Sequence, residues 1–172
     1  GGSRGARAIN NALLAILPQL LAENVQIIHV TGTLDWEDIR ARREALPDAT
    51  HYHAYPYLHA EIGLALAASD LALSRAGASV LGEYPAFGLP AVLVPLTACG
   101  FQGVNADWLA SQNAAVRLDE DRLEADLLST LRGILGDAER LQAMQAAARA
   151  LAIPDGAVRA AAALASMVKG EG

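Results

Sequence analysis

Short apolar runs alternate with longer stretches of helical periodicity along this chain, and that alternation restricts the architecture more than any other feature. The runs are VQIIHVTG (25–32), THYHAY (50–55), LALS (71–74), AVLVPL (91–96) and AAVRL (114–118). Helical patterns cover Ala8–Leu21, the charged DWEDIRARREAL (35–46), a segment closing over Leu64–Ser69, then Ser79–Phe87 and Asn105–Gln112. Leu123–Leu135, Asp137–Leu151 and a last helix opened by Pro154 and Asp155 complete the series. Near-continuous apolar strands between helices leave no face for water, so the pattern predicts an α/β fold: a Rossmann-like parallel sheet with helices on both faces.

With 172 residues, 53% hydrophobic and 19% charged, the chain can build one substantial core, and a single domain over 1–172 is expected. A formal net charge of -6 and a pI near 5.1 exclude the broad basic footprint that nucleic acid requires, so any anion site must be local. The single Cys99 cannot form an internal disulfide, which fits a reducing, cytoplasmic compartment. No apolar run approaches the roughly 18 residues that cross a bilayer.

In a doubly wound sheet, ligands sit beyond the carboxyl ends of the strands, where helix N-termini present free N–H groups. Two turns fit that place. GGSRGA opens the chain: Gly1 and Gly2 admit a close anion, Ser3 offers a hydroxyl, and Arg4 or Arg7 a charge. Such a turn normally follows a strand, so an apolar strand and a further domain are expected ahead of Gly1. The plainer alternative, a tight strand-to-helix connection without a ligand, stays open. The second turn, RAGAS (75–79), places Gly77, Ala78 and Ser79 at a helix start, with Glu83 on the same helical face as Ser79. A carboxylate there can bind vicinal ribose hydroxyls, with a diphosphate on the turn; it can equally do no more than complement its own helix dipole.

Other clusters carry less. His51 and His53 alternate onto one strand face and His59 follows, but no Cys or acidic cluster accompanies them, so strand packing is favoured over a metal site. Neither Ser74 nor Ser79 sits in a nucleophile-elbow pattern, and Cys99 lacks a base. Trp36 and Trp108 are read as core or interface residues.

The motifs GGSRGA, YPYLHAEIGLALAASDLALSRAGASVLGE, GLPAVLVPL, FQGVNA and AIPDGAVR occur in an order and spacing that resembles the C-terminal half of glycosyltransferase family 28, the GT-B transferases that form lipid II. The resemblance covers essentially the whole chain. It implies a domain that binds UDP-N-acetylglucosamine, with Ser3 at the sugar diphosphate and backbone N–H groups of Ala78, Ser79 and Val80 at the phosphates. It also implies Glu83 at the ribose, backbone of Tyr57 and Leu58 facing the uracil, and Gln102 with Asn105 as the Q-x-x-N-A pair that reads sugar hydroxyls. The implied activity is inverting, needs no metal or other cofactor, and transfers to lipid I. The acceptor site, catalytic base and membrane-facing patch belong to an N-terminal half, so association with the inner membrane face would be peripheral and confined to the full-length protein. Three positions depart from the pattern: Val80 replaces a usual Thr, Phe101 replaces a polar residue, and Pro85 falls inside a helix that it should distort. A stand-alone nucleotide-sugar-binding subunit with a separate membrane partner, a related glycolipid transferase and an epimerase are the alternatives.

Overall fold

Apolar residues recur every three or four positions from Ile9 to Leu20, and in the structure, a computed structural model describing residues 6–98 and 100–169, they form the buried stripe of α1 (Arg7–Ala22). Asn24, at φ 59°, turns the chain out of that helix in the left-handed region that Asn tolerates, and β1 (Ile27–Val30) follows. The order continues α2 (Trp36–Glu44), β2 (Tyr52–Tyr55), α3 (Ile62–Ala67), β3 (Ala72–Ser74), α4 (Val80–Phe87), β4 (Ala91–Leu93) and α5 (Gly100–Ser111). Then come β5 (Ala115–Arg117), α6 (Leu123–Leu135), α7 (Ala138–Ala150) and α8 (Gly156–Lys169). The α/β alternation is that expected, although α5 begins at Gly100 rather than Asn105. The earlier start brings Gln102 onto the helix, where its side-chain oxygen accepts the Leu96 N–H at 3.0 Å.

Every strand pair is parallel. β2 lies beside β1 with Tyr52 opposite Ile27, and β4 lies between β3 and β5 with Ala91 opposite both Ala72 and Ala115. Among the described residues β1 and β3 do not pair, so the strands form a two-stranded and a three-stranded sheet. Burial follows this division: β4, flanked on both sides, is wholly buried, whereas every residue of β3 is only partly covered.

Helices cover both faces. On one, Ile9, Leu13 and Ile16 of α1 meet Leu127, Leu131 and Ile134 of α6 over Val92 and Val94, and Leu17 extends this layer to Ile39 and Tyr52. On the other, Val80 and Tyr84 of α4 pack with Ala106 and Leu109 of α5. Pro85 does not break α4. The ring is buried, the helix runs on to Phe87, and Gly88 at φ 61° closes it, with the Leu89 N–H donating to the Tyr84 carbonyl at 2.9 Å.

A polar chain crosses the first helix layer. The Tyr52 hydroxyl lies 2.8 Å from His29 Nδ1, and His29 Nε2 lies 2.9 Å from Asn10 Oδ1. Asn10 Nδ2 donates to the Thr31 carbonyl and to Asp35 Oδ2, each at 2.9 Å, and Arg7 Nε donates to Asp35 Oδ1 at 2.8 Å. Burial pushes the His29 pKa down to about 4 and that of Tyr52 up to about 12, so both are neutral and one donor pattern satisfies the chain: Tyr52 O–H to Nδ1, Nε2–H to Asn10. Nothing in the sequence patterning singled out Asn10, His29 or Asp35. Their signal exists only once α1, β1, β2 and the loop before α2 are brought together.

Candidate functional site

The turn from β3 into α4 lies at the carboxyl edge of the sheet and is built almost entirely by its own carbonyls. Val80 N–H donates to the Gly77 carbonyl at 3.3 Å, Leu81 N–H to Ala78 at 3.2 Å, and Gly82 and Glu83 N–H to Ser79 at 3.1 and 2.9 Å. The two carbonyls before these are met by side chains. Ser74 Oγ donates to the Arg75 carbonyl at 2.9 Å while accepting the Tyr84 hydroxyl at 2.8 Å, and Asn105 Nδ2 donates to the Ala76 carbonyl at 2.9 Å. The Arg75 guanidinium runs along this edge to the neighbouring strands, paired with Glu120 beyond β5 and donating to the Val94 carbonyl beyond β4 at 3.3 Å.

The N–H side of the same turn is unanswered. Those of Gly77, Ala78 and Ser79 meet no acceptor among the described residues, and Ser79, at the N-cap, makes no side-chain cap. Gly77 has neither a positive φ nor a neighbour: a Cβ built there would find nothing within 4 Å. Glu83 stands exposed in the first turn of α4, and its carboxylate forms no hydrogen bond or ion pair among the described residues. Free donors, helix dipole, open space and an unpartnered carboxylate one turn away are what an anion joined to a vicinal diol requires.

Other expected residues lie along the same edge. Tyr57 and Leu58 follow the end of β2, with the Tyr57 ring edge-on to His59 at 4.7 Å. Gln102, anchored through its oxygen to Leu96, keeps its amide N–H groups free, and Phe101 beside it is 60% exposed. Val80 points into the core with Tyr84, so the side chain that replaces the usual Thr does not face the edge, and its N–H, expected at the phosphates, is already given to the Gly77 carbonyl, leaving the free donors at Gly77, Ala78 and Ser79. Ser3 lies outside the described residues, as do Gly1 and Gly2. Trp108 is an exposed residue on the outside of α5 rather than core.

Two concavities of the surface lie away from this turn. One of about 550 Å³ opens beside the head of α5, between Leu96, Gly103 and the Arg117–Asp119 pair. Another, of about 260 Å³, lies at the opposite edge between Leu20, Val25 and Leu135. The turn is an open shelf, a form suited to a ligand that a second body covers. No group of three His, Cys, Asp or Glu side chains among the described residues could hold a metal ion, and no helix among them is long and apolar enough to cross a membrane.

Comparison with known proteins adds independent findings. Residues 1–160 match the model of the glycosyltransferase family 28 C-terminal domain. A UDP-N-acetylglucosamine--N-acetylmuramyl-(pentapeptide) pyrophosphoryl-undecaprenol N-acetylglucosamine transferase from Roseiflexus sp. is 42% identical over 98% of this chain and 43% of its own length. The same-named protein of Listeria welshimeri is 36% identical over 98% of this chain and 47% of its own. The crystal structure of Acinetobacter baumannii MurG superposes with a TM-score of 0.77 at 28% identity, covering 93% of this chain and 46% of that one. The chain thus spans about half the length of the relatives it matches.

Proposed function

The chain belongs to glycosyltransferase family 28, and from that premise we propose that it is the sugar-donor half of a transferase that moves N-acetylglucosamine from uridine diphosphate to an undecaprenyl-linked muramoyl-pentapeptide. The observation that carries this proposal is the uncapped head of α4, with three unanswered N–H groups at Gly77–Ser79 and the free Glu83 carboxylate one turn on. In this arrangement the diphosphate rests on the turn, where N–H dipoles stabilise the charge that grows on UDP as the glycosidic bond breaks. Glu83 accepts from both ribose hydroxyls, the backbone at Tyr57 and Leu58 meets the uracil, and the free amide of Gln102 donates to sugar hydroxyls. Ser3 adds a hydroxyl at the diphosphate.

The base that deprotonates the acceptor and the pocket for the lipid belong, in this proposal, to the portion of the relatives that this chain does not span. That portion also carries peripheral attachment to the cytoplasmic face of the membrane. Calorimetric titration with UDP, UDP-N-acetylglucosamine and UDP-glucose tests the proposal. Binding of UDP, tightened by N-acetylglucosamine more than by glucose, is expected; failure to bind UDP in the full-length protein would refute it.

A further inference from the structure

The Q-x-x-N-A pair is split by the structure: the two amides point their bonded ends at different backbone segments. Gln102 holds the loop after β4, whereas Asn105 Nδ2 reaches across to the Ala76 carbonyl, 2.9 Å away in the turn before α4. Ala76 is fully buried, so its carbonyl needs a partner, and Asn105 is the one it has. The next atoms make this bond consequential. The Ala76 C=O and the Gly77 N–H belong to one planar trans peptide and point in opposite directions, so fixing the oxygen toward α5 aims the Gly77 N–H outward to the edge. The following peptides are oriented by bonds local to the turn, Val80 N–H to Gly77 and Leu81 N–H to Ala78. The Ala76–Gly77 peptide is oriented from another element. It is also the one followed by a glycine with open space around it, where a peptide can rotate at little steric cost.

We infer that Asn105 is a positioning residue that locks the Ala76–Gly77 peptide with its N–H facing the donor diphosphate, rather than a reader of the sugar. A hydrogen bond accepted by the carbonyl also polarises the N–H of the same peptide, strengthening it as a phosphate donor. This assignment rests on the proposed donor site, and it separates the two amides by function: Asn105 serves the nucleotide diphosphate, Gln102 the sugar.

Two measurements on the full-length protein decide it. In titrations, Asn105→Ala should weaken UDP and UDP-N-acetylglucosamine by the same factor, about fivefold, as expected for one hydrogen bond's worth of ordering. Gln102→Ala should weaken only the sugar nucleotide. The second measurement needs no ligand: with 15N-glycine labelling, the Gly77 amide should give one sharp resonance in the natural protein and a broadened or doubled one in Asn105→Ala. Asn105→Ser, too short to reach Ala76, should repeat both effects if Asn105→Ala folds poorly. Loss confined to UDP-N-acetylglucosamine would overturn the inference and return Asn105 to the sugar. An unchanged Gly77 resonance would overturn the latch itself. Should the natural protein not bind UDP, the donor site falls, while the Gly77 resonance still decides whether Asn105 holds the peptide.

Discussion

At the scale of single residues, Glu83 and Gly77 are distinguished by what they lack. A carboxylate in the first turn of a helix commonly complements the dipole or answers a terminal N–H, yet Glu83 makes no such bond and stands free at the edge. Replacing it with Ala should therefore leave stability nearly unchanged while weakening UDP by about 1 to 3 kcal/mol, the range for hydrogen bonds to a charged group. Calorimetry on a variant with an unaltered melting temperature checks this, and equal UDP affinity would remove Glu83 from the site. Gly77 gives the opposite test. Since its backbone does not require glycine and a Cβ would meet nothing within 4 Å, Gly77→Ala should fold as well as the natural protein or better by a few tenths of a kcal/mol. In the ligand complex, however, the methyl would stand between the turn and the diphosphate, so UDP binding should fall by at least about tenfold, in the manner of other close-approach glycines. Undiminished binding by a stable Gly77→Ala variant would show that the diphosphate does not reach this turn.

Between elements, the chain from Tyr52 through His29, Asn10 and Asp35 to Arg7 ties α1 to β1, β2 and the loop before α2. His29 is held neutral by burial, with a pKa near 4 against an ordinary 6.5. Between those values the unfolded chain takes up a proton that the native one refuses, so stability should fall as pH drops from about 6.5 to about 4, by roughly 3 kcal/mol in all. Denaturant melts across that range check the slope. His29→Gln should be less stable at neutral pH but flatter over the window; an identical slope in both would place the effect elsewhere. This network also marks where sequence reading stops. Elements were legible because each depends on local periodicity: the Ile9–Leu20 stripe, the apolar run at Ala91, and the small-residue turn before Glu83 are all continuous in sequence. The candidate edge was legible for the same reason, since a strand, a turn and a helix in succession place Gly77–Ser79 without further information. What pairs across distance was not. His29 reads as one more residue of an apolar strand, Asn10 as one polar residue on a helix, and the Asn105 bond to Ala76 joins residues on different elements. The helix start at Gly100 was hidden because a stretch of Gly, Phe and Gln carries no capping signal, and the Gln102 bond to Leu96 anchors it only after folding.

At the scale of the whole molecule, the described strands form two parallel sheets rather than one. In the proposed assignment the shelf of N–H groups serves the donor, with acceptor pocket and base in the portion of the relatives that this chain does not span, so these 172 residues alone should transfer no N-acetylglucosamine to lipid I, as a turnover assay with labelled donor would show. The sheet supplies a sharper expectation. Along β1, Ile27 and Thr31 direct their N–H groups to His51 and Tyr55 of the β2 segment, so the alternate residues Ile28 and Val30 direct theirs to the other edge. Along β3, the Ala72 N–H goes to Pro90 and that of Leu73 faces away from β4. Both open edges border the layer in which Ile27, Leu71 and Leu73 pack against the α1 and α6 core. Left open, these edges meet water, and the cost is apolar surface: Ile28 is 39% exposed and Leu73 only partly covered, at about 25 cal/mol for each Å² left unburied. A parallel apolar strand lying between β1 and β3 removes that cost and makes one continuous sheet, and we propose that the longer protein supplies it from chain outside these residues. Hydrogen exchange compares the two states directly. The amides of Ile28, Val30 and Leu73 should exchange freely in the 172-residue chain and be protected in the full-length protein, while those of β4, such as Val92, stay protected in both. Equal protection of Ile28 and Leu73 in both proteins would mean that β1 and β3 close on each other, and no strand would then belong between them.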